Sequence, residues 1–169
     1  RLTLQHALHY AESGHLCVST LHANNANQAV QRILNFFPED AHNQLLMDLS
    51  LNLKAVVAQR LITGTRGKLV PAVEVMLLSH YVSDLIQKGQ IEGLKTAIER
   101  SGEVGMCSFD QSIFALFERG EITQAEAVAN ADNKTDVTLR MRLAAGASLG
   151  VEGMQMARDD EDAPPPATR

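Results

Sequence analysis

Near the start of the chain, two histidines bracket a short apolar run: Gly14-His15-Leu16-Cys17-Val18-Ser19-Thr20-Leu21-His22-Ala23-Asn24-Asn25. The run Leu16 to Leu21 is bounded by a glycine and an asparagine pair, the pattern of a buried central strand in a parallel sheet. His22 then falls just past the carboxyl end of that strand, where open α/β sheets bind ligands. An imidazole donates one hydrogen bond when neutral and two as a cation. Asn24 or Asn25 is placed to cap the helix that follows, and free amides at such an end favour an anion. These pieces together suit contact with a phosphate. A lone histidine at a strand end also serves as a hydrogen-bonded structural residue, and both roles fit the residue type. His6 and His9 lie one turn apart, but no third and fourth ligand stands near them, which makes two solvated histidines the better reading than a metal pair.

The elements around this stretch follow from periodicity. Residues 3–13 read as a helix with Leu4, Ala7, Leu8 and Ala11 on one face, Thr3 as a cap and Gly14 as its end. Asn25 to Phe37 reads as a second helix, with Ala26, Ala29, Val30, Ile33, Leu34 and Phe37 forming its stripe and Arg32 off it. Pro38 stops it, and Glu39-Asp40 opens a third helix reaching about Leu53, with Leu45, Leu46, Leu49 and Leu53 inward. Val56 to Thr63 and Leu69 to Leu78 read as an antiparallel hairpin turning at Gly64-Thr65-Arg66-Gly67-Lys68, with Pro71 marking an edge. That turn is not a phosphate-binding loop: it lacks the four-residue gap between glycines and a Ser or Thr after the lysine.

Beyond residue 78 the pattern is short and helical. Helices are expected at Ser79 to Lys88, Glu92 to Arg100 (with Gly102 following), Ser108 to Arg119, Thr123 to about Ala131, and Asp136 to about Ala145. Thr123-Gln124-Ala125-Glu126 has the capping-box spacing. The chain thus divides into 1–78, which reads as the second half of an α/β sheet domain, 79–145, a small all-helical subdomain, and 146–169, an acidic and proline-rich tail expected to be disordered.

Composition narrows the function. The 169 residues carry a formal net charge of -5 with basic residues scattered, which disfavours nucleic acid as a partner. No apolar run approaches the roughly 20 residues of a membrane span, and no signal-peptide pattern is visible. Cys17 and Cys107 lie far apart and read as reduced thiols of a cytosolic protein. A first residue that is arginine, not methionine, reads as part of a longer or processed chain.

The words Glu12-Ser13-Gly14-His15-Leu16 and Ser19-Thr20-Leu21-His22-Ala23-Asn24, then Ala29 through Arg32 and Phe36-Phe37-Pro38, resemble the His box of the secretion-type hexameric ATPases. The run Asn43 to Leu53 and the word Val57-Ala58-Gln59-Arg60-Leu61 resemble type IV pilus retraction motors of the PilT/PilU kind, and the PilU branch in particular. Several words in family order make the resemblance specific, over roughly residues 1–145. It implies the C-terminal half of a RecA-like P-loop NTPase sheet domain followed by the helical subdomain, in a ring-forming ATPase that powers pilus retraction and twitching motility.

Carried over residue by residue, the resemblance makes His22 the γ-phosphate contact or sensor, Thr20 a lesser nucleotide contact, Arg32 a group at the subunit boundary, and His15 structural. It also implies ATP and Mg²⁺ as cofactors, their other ligands lying in Walker A, Asp-box and Walker B segments that this chain does not contain. Without those groups the chain alone is expected to be inactive in phosphoryl transfer. The implied partners are a homo-hexamer or a mixed assembly with a related retraction ATPase, and an inner-membrane pilus platform protein; the implied location is cytoplasmic, peripheral to that membrane. Retraction motors of the PilT kind carry an Ala-Ile-Arg-Asn-Leu-Ile-Arg word where this chain has Tyr81-Val82-Ser83-Asp84-Leu85-Ile86-Gln87, so both arginine positions lack their charge. That departure favours the accessory PilU-like branch. A partner-docking or oligomerisation module, or an assembly ATPase of pili or type II secretion, is the alternative.

Overall fold

The computed structural model describes residues 2–101 and 105–152. A hairpin lies at its centre: β1 (Ala55–Thr63) pairs antiparallel with β2 (Leu69–Leu77), Ala58 opposite Glu74 and Arg60 opposite Ala72. Burial alternates along β2, with Ala72, Glu74 and Met76 inward and Leu69 and Pro71 exposed, as the period of two requires. The outward face also exposes Val57 and Leu61.

Helices cover the inward face in two groups. Toward the Met76 end, α2 (Ala26–Asn35), α3 (His42–Asn52), α4 (His80–Gln87) and α5 (Gly93–Arg100) pack around Val30, Ile33, Leu49, Val82, Ile86 and Leu94. Toward the turn, α6 (Phe109–Glu118), α7 (Gln124–Asn130) and α8 (Lys134–Glu152) pack around Ile62, Ala72, Phe109, Ile113 and Val137. The first of these cores joins residues on both sides of position 78. β2's second edge is covered: Cys107 exchanges two backbone bonds with Val75, at 2.8 and 3.1 Å, and the Ser112 hydroxyl accepts from the Val73 amide at 3.0 Å.

The helix ends follow local chemistry. Asn25, Ser79, Ser108 and Thr123 each cap the helix they precede by accepting a bond from a backbone amide one turn on. At Ser108 the box is reciprocal, Gln111 reaching back to the Ser108 amide. Thr3 is not a cap, because α1 (Leu2–Glu12) already includes it. The third helix is split: Glu39–Ala41 forms a 3-10 turn before α3 begins at His42.

Two expectations about larger segments also change. Residues 15–23 form no strand, and Leu16 and Val18 are 83% and 86% exposed. A central strand needs a neighbour on each side, and the only sheet among the described residues is the hairpin. The apolar pattern is therefore present without the pairing that would make it a strand. At the other end α8 runs through Gly146 to Glu152. Gly146 does not take the positive φ that would end a helix there. The remainder of the expected tail, 153–169, and Gly102, which follows the expected helix Glu92 to Arg100, lie outside the described residues.

The hairpin turn depends on Gly64. A Cβ there would stand 2.7 Å from both the Lys68 carbonyl oxygen and Val70 Cγ2. The Gly64 amide donates to that same carbonyl at 2.8 Å, so the obstacle cannot move without losing the turn. Gly64→Ala is expected to cost about 1–3 kcal/mol of stability in a urea titration, the range for overpacking a closed site. Gly67→Ala meets no atom and strains only its positive φ, so it should cost less.

Candidate functional site

Of the residues singled out by sequence, His22, Asn24, Asn25 and Arg32 are joined at the N-terminal end of α2. Arg32, one face away from the buried stripe, turns back along its helix and its Nη1 donates to the His22 carbonyl at 2.9 Å. The Asn24 amide donates to Gln28 Oε1 at 3.0 Å, and the Gln28 amide to Asn25 Oδ1 at 2.8 Å. These bonds fasten the His22 segment to α2 as one unit. The side chains of Thr20, His22 and Arg32 are on exposed residues. The Arg32 contact is to its own chain, whatever else its guanidinium meets.

The expected anion cradle at the start of α2 is already served from within the protein. The Ala26 amide, first in the helix, donates to Glu74 Oε1 at 2.8 Å, and the Gln28 amide is taken by Asn25. A carboxylate thus stands where an anion would gain from the helix end. His15 makes other contacts: its Nδ1 is 3.0 Å from the Ser13 hydroxyl and its ring meets Tyr10 edge-on. His9 lies 3.9 Å from Glu12, and among the described residues no set of three His, Cys, Asp or Glu side chains could hold a metal ion.

Glu74 is the residue that sequence reading missed. It sits mid-strand on the inward face, between Met76 of one core and Ala72 of the other, and is 4% exposed. Burial raises its carboxyl above the ordinary 4.5 and Asp132 adds to this, while the Ala26 amide, Arg60 and Lys95 pull it back. Arg60 pairs with Asp132 at 2.6 Å and lies over the Phe109 ring at 4.0 Å; Lys95 approaches Asp132 at 3.7 Å. Burial also pushes the Cys107 thiol up, with Glu74 contributing. The one available signal was an acidic residue inside an apolar β-run.

Because the folded protein holds the Glu74 proton more tightly than the unfolded chain, this group's stability contribution is complete below about pH 4.5 and is lost as pH rises through the raised folded value. Glu74→Gln, which resembles the protonated acid, should melt with wild-type protein at about pH 4 and above it at about pH 8. Equal melting temperatures at both pH values would show that the carboxyl is not perturbed.

Ser83 and Gln87, where the resemblance implies arginines, make contacts of their own. Ser83 donates to the Ser50 carbonyl at 2.7 Å, and Gln87 Nε2 lies 3.4 Å from Met47 Sδ, so both tie α4 to α3.

The chain belongs to the family of Type II/IV secretion system proteins, whose model matches residues 1–153. It is 46% identical over 168 residues to the type IV pilus ATPase PilU of Pseudomonas aeruginosa, covering 96% of this chain and 44% of that protein. The type IV pilus retraction ATPase PilT of the same organism is 31% identical over 125 residues, 74% of this chain and 36% of that protein. The crystal structure of the pilus retraction motor PilT with bound ADP matches the fold with a TM-score of 0.69 and 27% identity, over 79% of this chain and 37% of that one. The fold is thus that of part of a PilT-type ATPase, and the chain spans less than half the length of these relatives. No described helix is long and apolar enough to cross a membrane.

Proposed function

We propose that this chain is the His-box part of a PilU-like hexameric motor that hydrolyses ATP to power, or to assist, type IV pilus retraction. His22 is the γ-phosphate contact, Thr20 a lesser nucleotide contact and Arg32 a group at the subunit boundary. Mg²⁺ and the remaining nucleotide ligands belong to segments outside this chain. Residues 1–78 complete a RecA-like sheet domain, with 16–21 pairing as a strand once its neighbours are present, and 79–145 form the helical subdomain. The observation that carries the reading is the Arg32 bond to the His22 carbonyl. It joins the two family positions, holds the backbone beside His22 and leaves that residue exposed. The 46% identity to PilU along nearly the whole chain supports the pilus assignment. A cytoplasmic ring docked on an inner-membrane platform protein, alone or mixed with a related motor, is the setting this function requires.

Phosphate release and light scattering test the proposal. The full-length protein should show steady ATP turnover and ring assembly; this chain alone should release no phosphate above buffer. Turnover by the chain alone, or none by the full-length ring, would sink the reading.

A further inference from the structure

Among the described groups outside the His-box segment, the buried Glu74 has a direct bond to the element that carries it. We infer that Glu74 is a positioning residue for His22, clamping the first turn of α2 to the middle of the hairpin and so setting where the His22 segment stands. The inference rests on the reading of His22 proposed above.

Three observations converge. The carboxyl end of the His22 segment is bound to α2 by Arg32, on the His22 carbonyl, and by Gln28, on the Asn24 amide, so it moves with that helix. The N-terminus of α2 is tied across 48 residues of sequence to β2 by the Ala26 amide on Glu74 Oε1, a buried bond of 2.8 Å. That bond is four residues from His22 along the chain. The carboxylate is held in turn between groups of opposite effect: Arg60 and Lys95 attract it, Asp132 repels it, and Cys107 lies close enough to feel it. A buried charge is a poor means of stabilising a core, where an apolar side chain of similar size serves as well or better. What it supplies here is a directed acceptor for one helix end. A small displacement of a group that meets the reacting phosphate costs far more in rate than in binding.

The test uses the full-length ring with ATP, measuring melting temperature, kcat and KM. Glu74→Met fills the space without an acceptor for the Ala26 amide and should leave melting close to wild type. Its kcat should fall about tenfold or more with KM changed far less. Glu74→Gln keeps a carbonyl acceptor and should restore most of the rate. Combined with His22→Ala, Glu74→Met should add nothing further, because a residue acting through His22 has no effect once the imidazole is gone. Ala26→Pro removes the donor at a first helical position, where proline is tolerated, behind an Asn25 that is already extended. It should reproduce the loss even if Glu74→Met fails to assemble. Wild-type kcat in Glu74→Met, or losses that multiply in the double variant, would overturn the inference while leaving His22 in place. Wild-type kcat in His22→Ala would instead remove the reading on which it rests, and this inference with it.

Discussion

ATP turnover by the full-length ring should fall about 100-fold when His22 is replaced by alanine, with ring assembly unchanged. The magnitude is that of losing one preorganised donor to an oxygen on which charge develops. The geometry makes the separation of activity from assembly possible. His22 is exposed, so its removal leaves no cavity, and the Arg32 bond is to its backbone carbonyl, which alanine retains. Glu74 and Asn25 already take the Ala26 and Gln28 amides of the α2 start, which leaves that helix end less able to substitute for the lost imidazole. His22→Gln, which keeps a donor, should recover part of the rate. Turnover at the wild-type rate in His22→Ala would make the residue a structural strand-end histidine and shift weight to a docking role for this half of the protein.

The largest loss of stability is expected at Asp110. This carboxylate, 5% exposed at the start of α6, accepts the amides of Asp132 and Asn133 at 2.8 and 3.0 Å, one on each oxygen. Asn133 in turn accepts from the Asp136 amide with its own side chain, capping α8. Asp110 therefore fixes the link between α7 and α8, and with it Asp132, which pairs with Arg60 and Lys95. Bonds to a charged acceptor contribute more than neutral ones, and amides left unpaired add their own cost. Asp110→Ala should cost about 2–3 kcal/mol, lowering the melting temperature by about 5–10 °C at this size. Asp110→Asn, which retains one acceptor oxygen, should lose less than half of that. A melt within about 1 °C of wild type would show that water replaces the carboxylate without penalty.

Local chemistry was legible wherever a residue acts on its near neighbours. Asn25, as one of two candidates, and Thr123 read as caps because their partners lie three residues on. The hairpin read correctly because its turn and its alternation both lie within residues 55–77. The stripe of α2 and the inward leucines of α3 followed from helical spacing alone.

What distance in sequence hides was decided only by the tertiary structure. Leu16 to Leu21 carries the apolar pattern of a central strand and forms none, since strand formation is a property of pairs and its partners are not among the described residues. The last helix reads as ending at about Ala145, yet α8 continues to Glu152, because Gly146 does not turn left-handed as a helix-ending glycine commonly does. Glu74 to Ala26, Asp110 to Asn133 and Arg60 to Asp132 span 48, 23 and 72 residues. Sequence alone determined the family, the order of most helices and the histidine on which function is proposed to turn. Which acid meets which helix end was settled by packing, because a buried carboxylate must find a donor wherever the fold brings one within reach.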